Sequence, residues 1–137
     1  MFSSIMIPVD LGHVEQLDKA MSAAASLAKL HGAEASLVGV TQSGPTQIAR
    51  TPEEYSKKLD DYAAECTKKY GVTFKAHSEV SHDPTIDLDA TLMSAAGSIG
   101  ADLIVMASHV PGFAEYVFAS NAGYLASHSK MSVFVVR

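Results

Sequence analysis

A single cysteine, Cys66, in 137 residues excludes an intramolecular disulfide. No apolar run reaches the roughly 18 residues of a membrane span. No charged segment followed by a long apolar stretch precedes the first apolar run, so the expected setting is a reducing cytoplasm without membrane contact. Basic residues are few and scattered: 10 lysines and arginines face 15 acidic side chains, a formal charge of -5, which argues against nucleic acid as a partner. Two phosphate signatures are also missing. Neither G-x-x-x-x-G-K-[ST] nor a G-x-G-x-x-G after the first strand occurs, which argues against a P-loop kinase and a dinucleotide dehydrogenase. The G-x-S-x-G elbow of the α/β hydrolases is missing too. His77 and His82 lie near one strand end while His13, His31 and His128 are scattered, so no metal site is expected.

What remains is a chain that is 47% hydrophobic, enough for one core and one domain over residues 1–137. Ser4 to Val9 reads as a strand buried on both faces. Leu17, Ala20, Met21, Ala24 and Ala28 then recur at helical spacing, and Gly32 closes the helix. Ala35 to Thr41 is a second strand, and a helix begins after Thr51 with Tyr55, Leu59, Tyr62, Cys66 and Tyr70 on its core face. Gly71 stops it. Val72 to Val80 gives a third strand, and Asp83-Pro84 leads into a helix presenting Leu88, Leu92, Ala96 and Ile99. Asp102 to Met106 and Ser132 to Val136 are the last two strands, with Ala119-Ser120-Asn121-Ala122 opening a short helix between them. Strands alternating with helices predict a doubly wound α/β sandwich around a five-stranded parallel sheet.

In such a sheet the ligand crevice lies outside the carboxyl ends of the strands at the switch point, which gathers Asp10 to His13, Thr41 and the loop from Ser108. A strand-end loop that meets a helix N-terminus is also a cradle for anions, because free N–H groups and the helix dipole both favour phosphate. Asp10 fits two roles, a ligand contact or a cap on the chain entering the first helix. Ser120 likewise fits a phosphate contact or an N-cap, and His109 an acid/base group or a loop brace. Cys66, on the apolar face of its helix, is expected to be core.

Ile7-Pro8-Val9-Asp10, the run Leu27 to Glu34, Gly100-Ala101-Asp102-Leu103-Ile104-Val105-Met106-Ala107-Ser108-His109 and the terminal Ser132 to Arg137 together resemble the universal stress protein family, over nearly the whole chain. Pro111 before Gly112, Tyr116 and Ser120-Asn121-Ala122 are similar to its F/G-like branch. The resemblance implies a Rossmann-like, adenine nucleotide alpha hydrolase-like fold that takes ATP or AMP, with Mg²⁺ only alongside ATP. It implies contacts from Pro8, Val9 and Asp10 near the nucleoside and from the Val40 backbone to adenine. Ala107, Ser108, His109, Pro111 and Gly112 would follow in the loop, with Ala119, Ser120 and Asn121 at the phosphates. The chain departs from the commoner pattern at Val110 and Ala119, where that pattern has glycine. Alanine at 119 costs about 1 to 2 kcal/mol if the position needs positive φ, and nothing if it is helical.

The strand Val133 to Val136 is an apolar edge that a homodimer would cover, and the resemblance implies dimerisation there. Two functional readings follow. One is a small cytoplasmic nucleotide-binding dimer acting as a regulator or sensor of stress, at most a slow ATPase. The other is a dimeric interaction module with an eroded phosphate loop and no nucleotide.

Overall fold

The computed structural model describes the backbone of residues 1–107 and 115–137, with the side chains of those residues apart from 85 and 115–121. Strand β1 (Ser4–Val9) runs into a kinked pair of 3-10 turns (Leu11–Gln16) and then helix α1 (Asp18–His31). Strand β2 (Glu34–Gln42), α2 (Pro52–Tyr70), β3 (Phe74–Ser81), α3 (Pro84–Ile99), β4 (Leu103–Ala107), α4 (Glu115–His128) and β5 (Ser132–Val136) complete the order. All neighbouring strands are parallel, in the order β3-β2-β1-β4-β5. The chain steps outward from β1 to β2 to β3, then crosses back to β4 and β5, so right-handed crossovers put α1 and α2 on one face and α3 and α4 on the other.

The sequence of β1 explains why it sits at the centre. Its alternate residues feed two cores: Ile5, Ile7 and Val9 pack with α1 and α2, whereas Met6 packs with α3 and α4. An all-apolar strand satisfies both layers at once. β4 does the same with Leu103 and Val105 on one side and Ile104 and Met106 on the other. Gly32 (φ 64°) and Gly71 (φ 71°) close α1 and α2 in the left-handed conformation, as their positions in the sequence suggest. Helix α2 opens on Thr51, whose hydroxyl accepts from the Glu54 amide at 3.1 Å, while the Glu54 carboxylate accepts from the Arg50 amide at 3.2 Å.

Four expectations are corrected. β3 starts at Phe74 rather than Val72, and β4 starts at Leu103 because Asp102 is a clamp. Its carboxylate accepts from the Ser3 and Ser4 amides at 2.9 and 3.1 Å and from the Ser3 hydroxyl at 3.0 Å, tying the entry of β1 to that of β4. Burial pushes the Asp102 pKa up, but those hydrogen bonds outweigh it and hold the carboxyl below its ordinary range. On α2 the buried stripe is Tyr55, Leu59, Ala63 and Cys66; Tyr62 and Tyr70 are only partly buried. The Tyr70 hydroxyl reaches out to donate to Asp18 on α1 at 2.6 Å, a use for a polar tip that an apolar count misses. Finally, Ala119-Ser120-Asn121-Ala122 does not open the last helix. α4 spans Glu115–His128, so these four residues lie inside it rather than at its start. An acidic first residue suits the positive end of the dipole, and this competes with the N-cap preference of Ser120 and Asn121.

Candidate functional site

The pairing of β1 with its two neighbours creates the crevice. β1 pairs with β2 along its whole length, Ser4 with Glu34 through Val9 with Gly39, but with β4 only at Ile5–Leu103 and Met6–Ile104. Pro8, buried in the sheet, brings no N–H with which to lengthen a ladder. The sheet is therefore least tied between the carboxyl ends of β1 and β4, which is the switch point of this strand order. Pro8, Val9 and Ala107 line that edge from within the core. The β1–β2 register ends at Val9–Gly39, after which Asp10 leaves the strand while β2 goes on to Val40, which is partly buried on the side of α3 and α4.

Asp10 leaves β1 in an extended conformation (φ -109°, ψ 108°), and its carboxylate is gripped by the turn that follows. Oδ1 accepts from the Gly12 amide at 2.9 Å and Oδ2 from His13 Nδ1 at 2.9 Å. The backbone closes as well, with the His13 amide donating to the Asp10 carbonyl at 3.0 Å. Both sequence readings of Asp10 are thus compatible: it caps the turn, yet a quarter of its side chain stays exposed at the crevice.

The α2 side of this site is tightly filled. A Cβ at Gly12 would lie 3.3 Å from Asp10 Oδ1 and 3.5 Å from Ile48 Cδ1, so the turn and the β2–α2 loop meet there. That loop is internally tied: the Thr46 hydroxyl accepts from the Ile48 and Ala49 amides at 3.2 and 3.1 Å, and Lys58 Nζ donates to the Ile48 carbonyl. Behind it the phenol end of Tyr55 abuts Gly39, where any Cβ would collide with the phenol oxygen and come within 3.0 Å of Cε1. Burial, with a smaller contribution from the Asp10 charge, raises the Tyr55 pKa well above its ordinary value. The phenol is therefore neutral. A cleft of about 340 Å³ lies beside this wall, with Leu11, Val14 and Ile48 among its lining and Asp61 and Glu65 opposite.

Of the residues singled out in the sequence, Pro8, Val9, Asp10, Val40 and Ala107 converge on one sheet edge. Ser108, His109, Pro111 and Gly112 lie outside the described residues, as does Val110. The backbone of Ala119, Ser120 and Asn121 is helical, within α4. His13 lies at the crevice as the sequence places it, but its pairing with Asp10 was not read from their spacing of three; Tyr55 and Gly39 were missed as site residues, the signal for Gly39 being a lone glycine inside an apolar strand. Cys66 is buried, and burial raises its thiol pKa, so it is held as an unreactive core group. Among the described residues no group of three or more His, Cys, Asp or Glu side chains could hold a metal ion. Among them, too, no helix is long and apolar enough to cross a membrane.

Fold and site define a doubly wound α/β domain with a braced aspartate at its switch point. The family model described as "Universal stress protein family" matches residues 1–137, and the chain belongs to that family. Solved structures carry the same fold. A universal stress protein family member from Burkholderia pseudomallei is 26% identical with a TM-score of 0.66, the match covering 98% of this chain and 95% of that one. A universal stress protein in complex with cAMP is 16% identical at a TM-score of 0.70, covering 99% and 97%. A third, from Archaeoglobus fulgidus in complex with dAMP, is 19% identical at 0.65, covering 98% of each.

Proposed function

We propose that this protein is a cytoplasmic regulator or sensor of stress that binds an adenine nucleotide, ATP or AMP, between the carboxyl ends of β1 and β4. The observation that carries this reading is Asp10, an oriented and partly exposed carboxylate at the one edge where the sheet opens. Support comes from the cAMP and dAMP held by two proteins of the same fold. In this reading Pro8, Val9 and Asp10 face the nucleoside and the Val40 backbone meets adenine. Ala107, Ser108, His109, Pro111 and Gly112 form the phosphate loop, and Ser120, flanked by Ala119 and Asn121, offers its hydroxyl to phosphate. Mg²⁺ would enter only with ATP. Because position 119 is helical, alanine there carries no left-handed strain, which removes one sequence-based objection to binding. The similarity of Pro111-Gly112, Tyr116 and Ser120-Asn121-Ala122 to the F/G-like branch supports assigning the chain to that branch of the family.

Isothermal titration with ATP and AMP at millimolar ligand tests the reading. Binding is expected, and Asp10→Asn should weaken it about tenfold, the equivalent of one charge-assisted hydrogen bond. No heat with either nucleotide would overturn the proposal in favour of a nucleotide-free interaction module. The dimer is proposed to form through β5. Of the two edge strands, β3 carries Lys75, His77 and Glu79, charges that discourage edge pairing, whereas Val133 to Val136 carries none and leaves Phe134 and Val135 46% and 42% exposed.

A further inference from the structure

Resting on the assignment of Asp10 to the nucleoside, we infer that His13 is a positioning residue for that ligand, holding the Asp10 carboxylate so that its remaining lone pairs receive the ribose hydroxyls. A carboxylate offers about four acceptor sites. The Gly12 amide takes one on Oδ1 and His13 Nδ1–H takes one on Oδ2, which leaves acceptor capacity on both oxygens, side by side. Two vicinal hydroxyls present two donors at a matching spacing.

The backbone is shaped to deliver the imidazole. His13 interrupts the two 3-10 turns with a non-helical conformation (φ -141°, ψ 43°), and this kink swings its ring back over Asp10, three residues earlier. Both side chains keep partial exposure, 30% for His13 and 25% for Asp10, so the pair borders the crevice instead of being sealed in the core. The terminal torsion of an aspartate is broad and roughly two-fold. With only the Gly12 amide to hold Oδ1, the second oxygen would lose its fixed direction, and a ligand would have to supply that order on arrival. Nδ1 is bonded directly to Cγ of the histidine, and asparagine carries an N–H donor at the same bonded position. His13→Asn therefore preserves the brace, whereas His13→Ala removes it.

The test is titration of the wild type, His13→Ala and His13→Asn with AMP, 2′-deoxy-AMP and 3′-deoxy-AMP. The wild type is expected to prefer AMP over at least one deoxy form by about tenfold. In His13→Ala that preference should fall below about threefold, with affinity for the deoxy form unchanged, and His13→Asn should restore it. A structural role alone would weaken all three ligands alike. An undiminished preference in His13→Ala, or its loss in a folded His13→Asn, overturns this inference and leaves the nucleotide reading standing. A wild type that binds none of the three overturns both.

Discussion

At the scale of single residues, the site depends on side chains packed so closely that a methyl group matters. Gly39 is the clearest case. The phenol of Tyr55, 4% exposed, occupies the space a Cβ at 39 would need, and neither β2 nor the ring can shift freely. Gly39→Ala should destabilise the fold by about 1–3 kcal/mol, the usual cost of overpacking, seen as a lower urea midpoint. Since the collision is with the hydroxyl oxygen, Tyr55→Phe in the same chain should recover part of the loss. The same tyrosine makes a prediction about alkali. Its folded pKa lies above the ordinary value near 10, so below pH ~10 both states hold the proton and stability does not change on its account. As pH rises further the unfolded chain ionises first, and stability falls. Tyr62 and Tyr70 are shifted the same way, chiefly by burial. Tyr55→Phe should therefore flatten the decline of the urea midpoint between pH ~10 and 12. An unchanged slope would contradict the buried phenol. None of this could be read from the sequence, where Gly39 is one small residue in an apolar run and Tyr55 one more aromatic on a helix.

At the scale of elements, local signals succeeded where a residue's preference and its surroundings agree. β1 and β5 have the bounds that their apolar runs suggest, and α2 begins at the capping threonine. Thr51→Ala should cost about 1 kcal/mol, measured by chemical denaturation, because the Glu54 amide loses its acceptor. The signals failed where partners are distant. Asp102 looks like the first residue of a strand, but Ser3 and Ser4 recruit it as an acceptor, and no local pattern carries that information. The start of α4 failed for a different reason. Ser120 and Asn121 are good caps wherever a helix begins, yet a chain with Glu115 four residues before Ala119 can begin sooner.

At the scale of the whole molecule, the doubly wound five-stranded parallel sheet was legible because strands alternate with helices, whereas the order β3-β2-β1-β4-β5 comes from the structure. In that order the switch point falls between β1 and β4, the pair of strands between which the sequence expects the crevice. The two edges also differ in kind, which bears on assembly. If β5 is the contact, Val135→Lys places a charge in the middle of the pairing edge and should convert the dimer to monomer in sedimentation velocity. Lys75→Val on β3 should leave it dimeric. Dissociation by neither substitution would place the contact elsewhere.

The Asp102 clamp also bears on the order in which the chain acquires its structure. Ser4 and Asp102 are 98 residues apart, so β1, the middle of the sheet, waits for most of the polypeptide to be synthesised before its second neighbour exists. Until then β1 can pair only with β2, and its other side is an open apolar flank. The β1–β2–β3 half, with α1 and α2, is thus the part able to form on the ribosome, and β4 arrives as its closing piece. β5 is synthesised after β4, its partner in the sheet, so the uncharged edge can be completed only once the strand beside it has been made. Synthesis from β1 to β5 delays the stickiest strand until the rest of the sheet is ready to receive it.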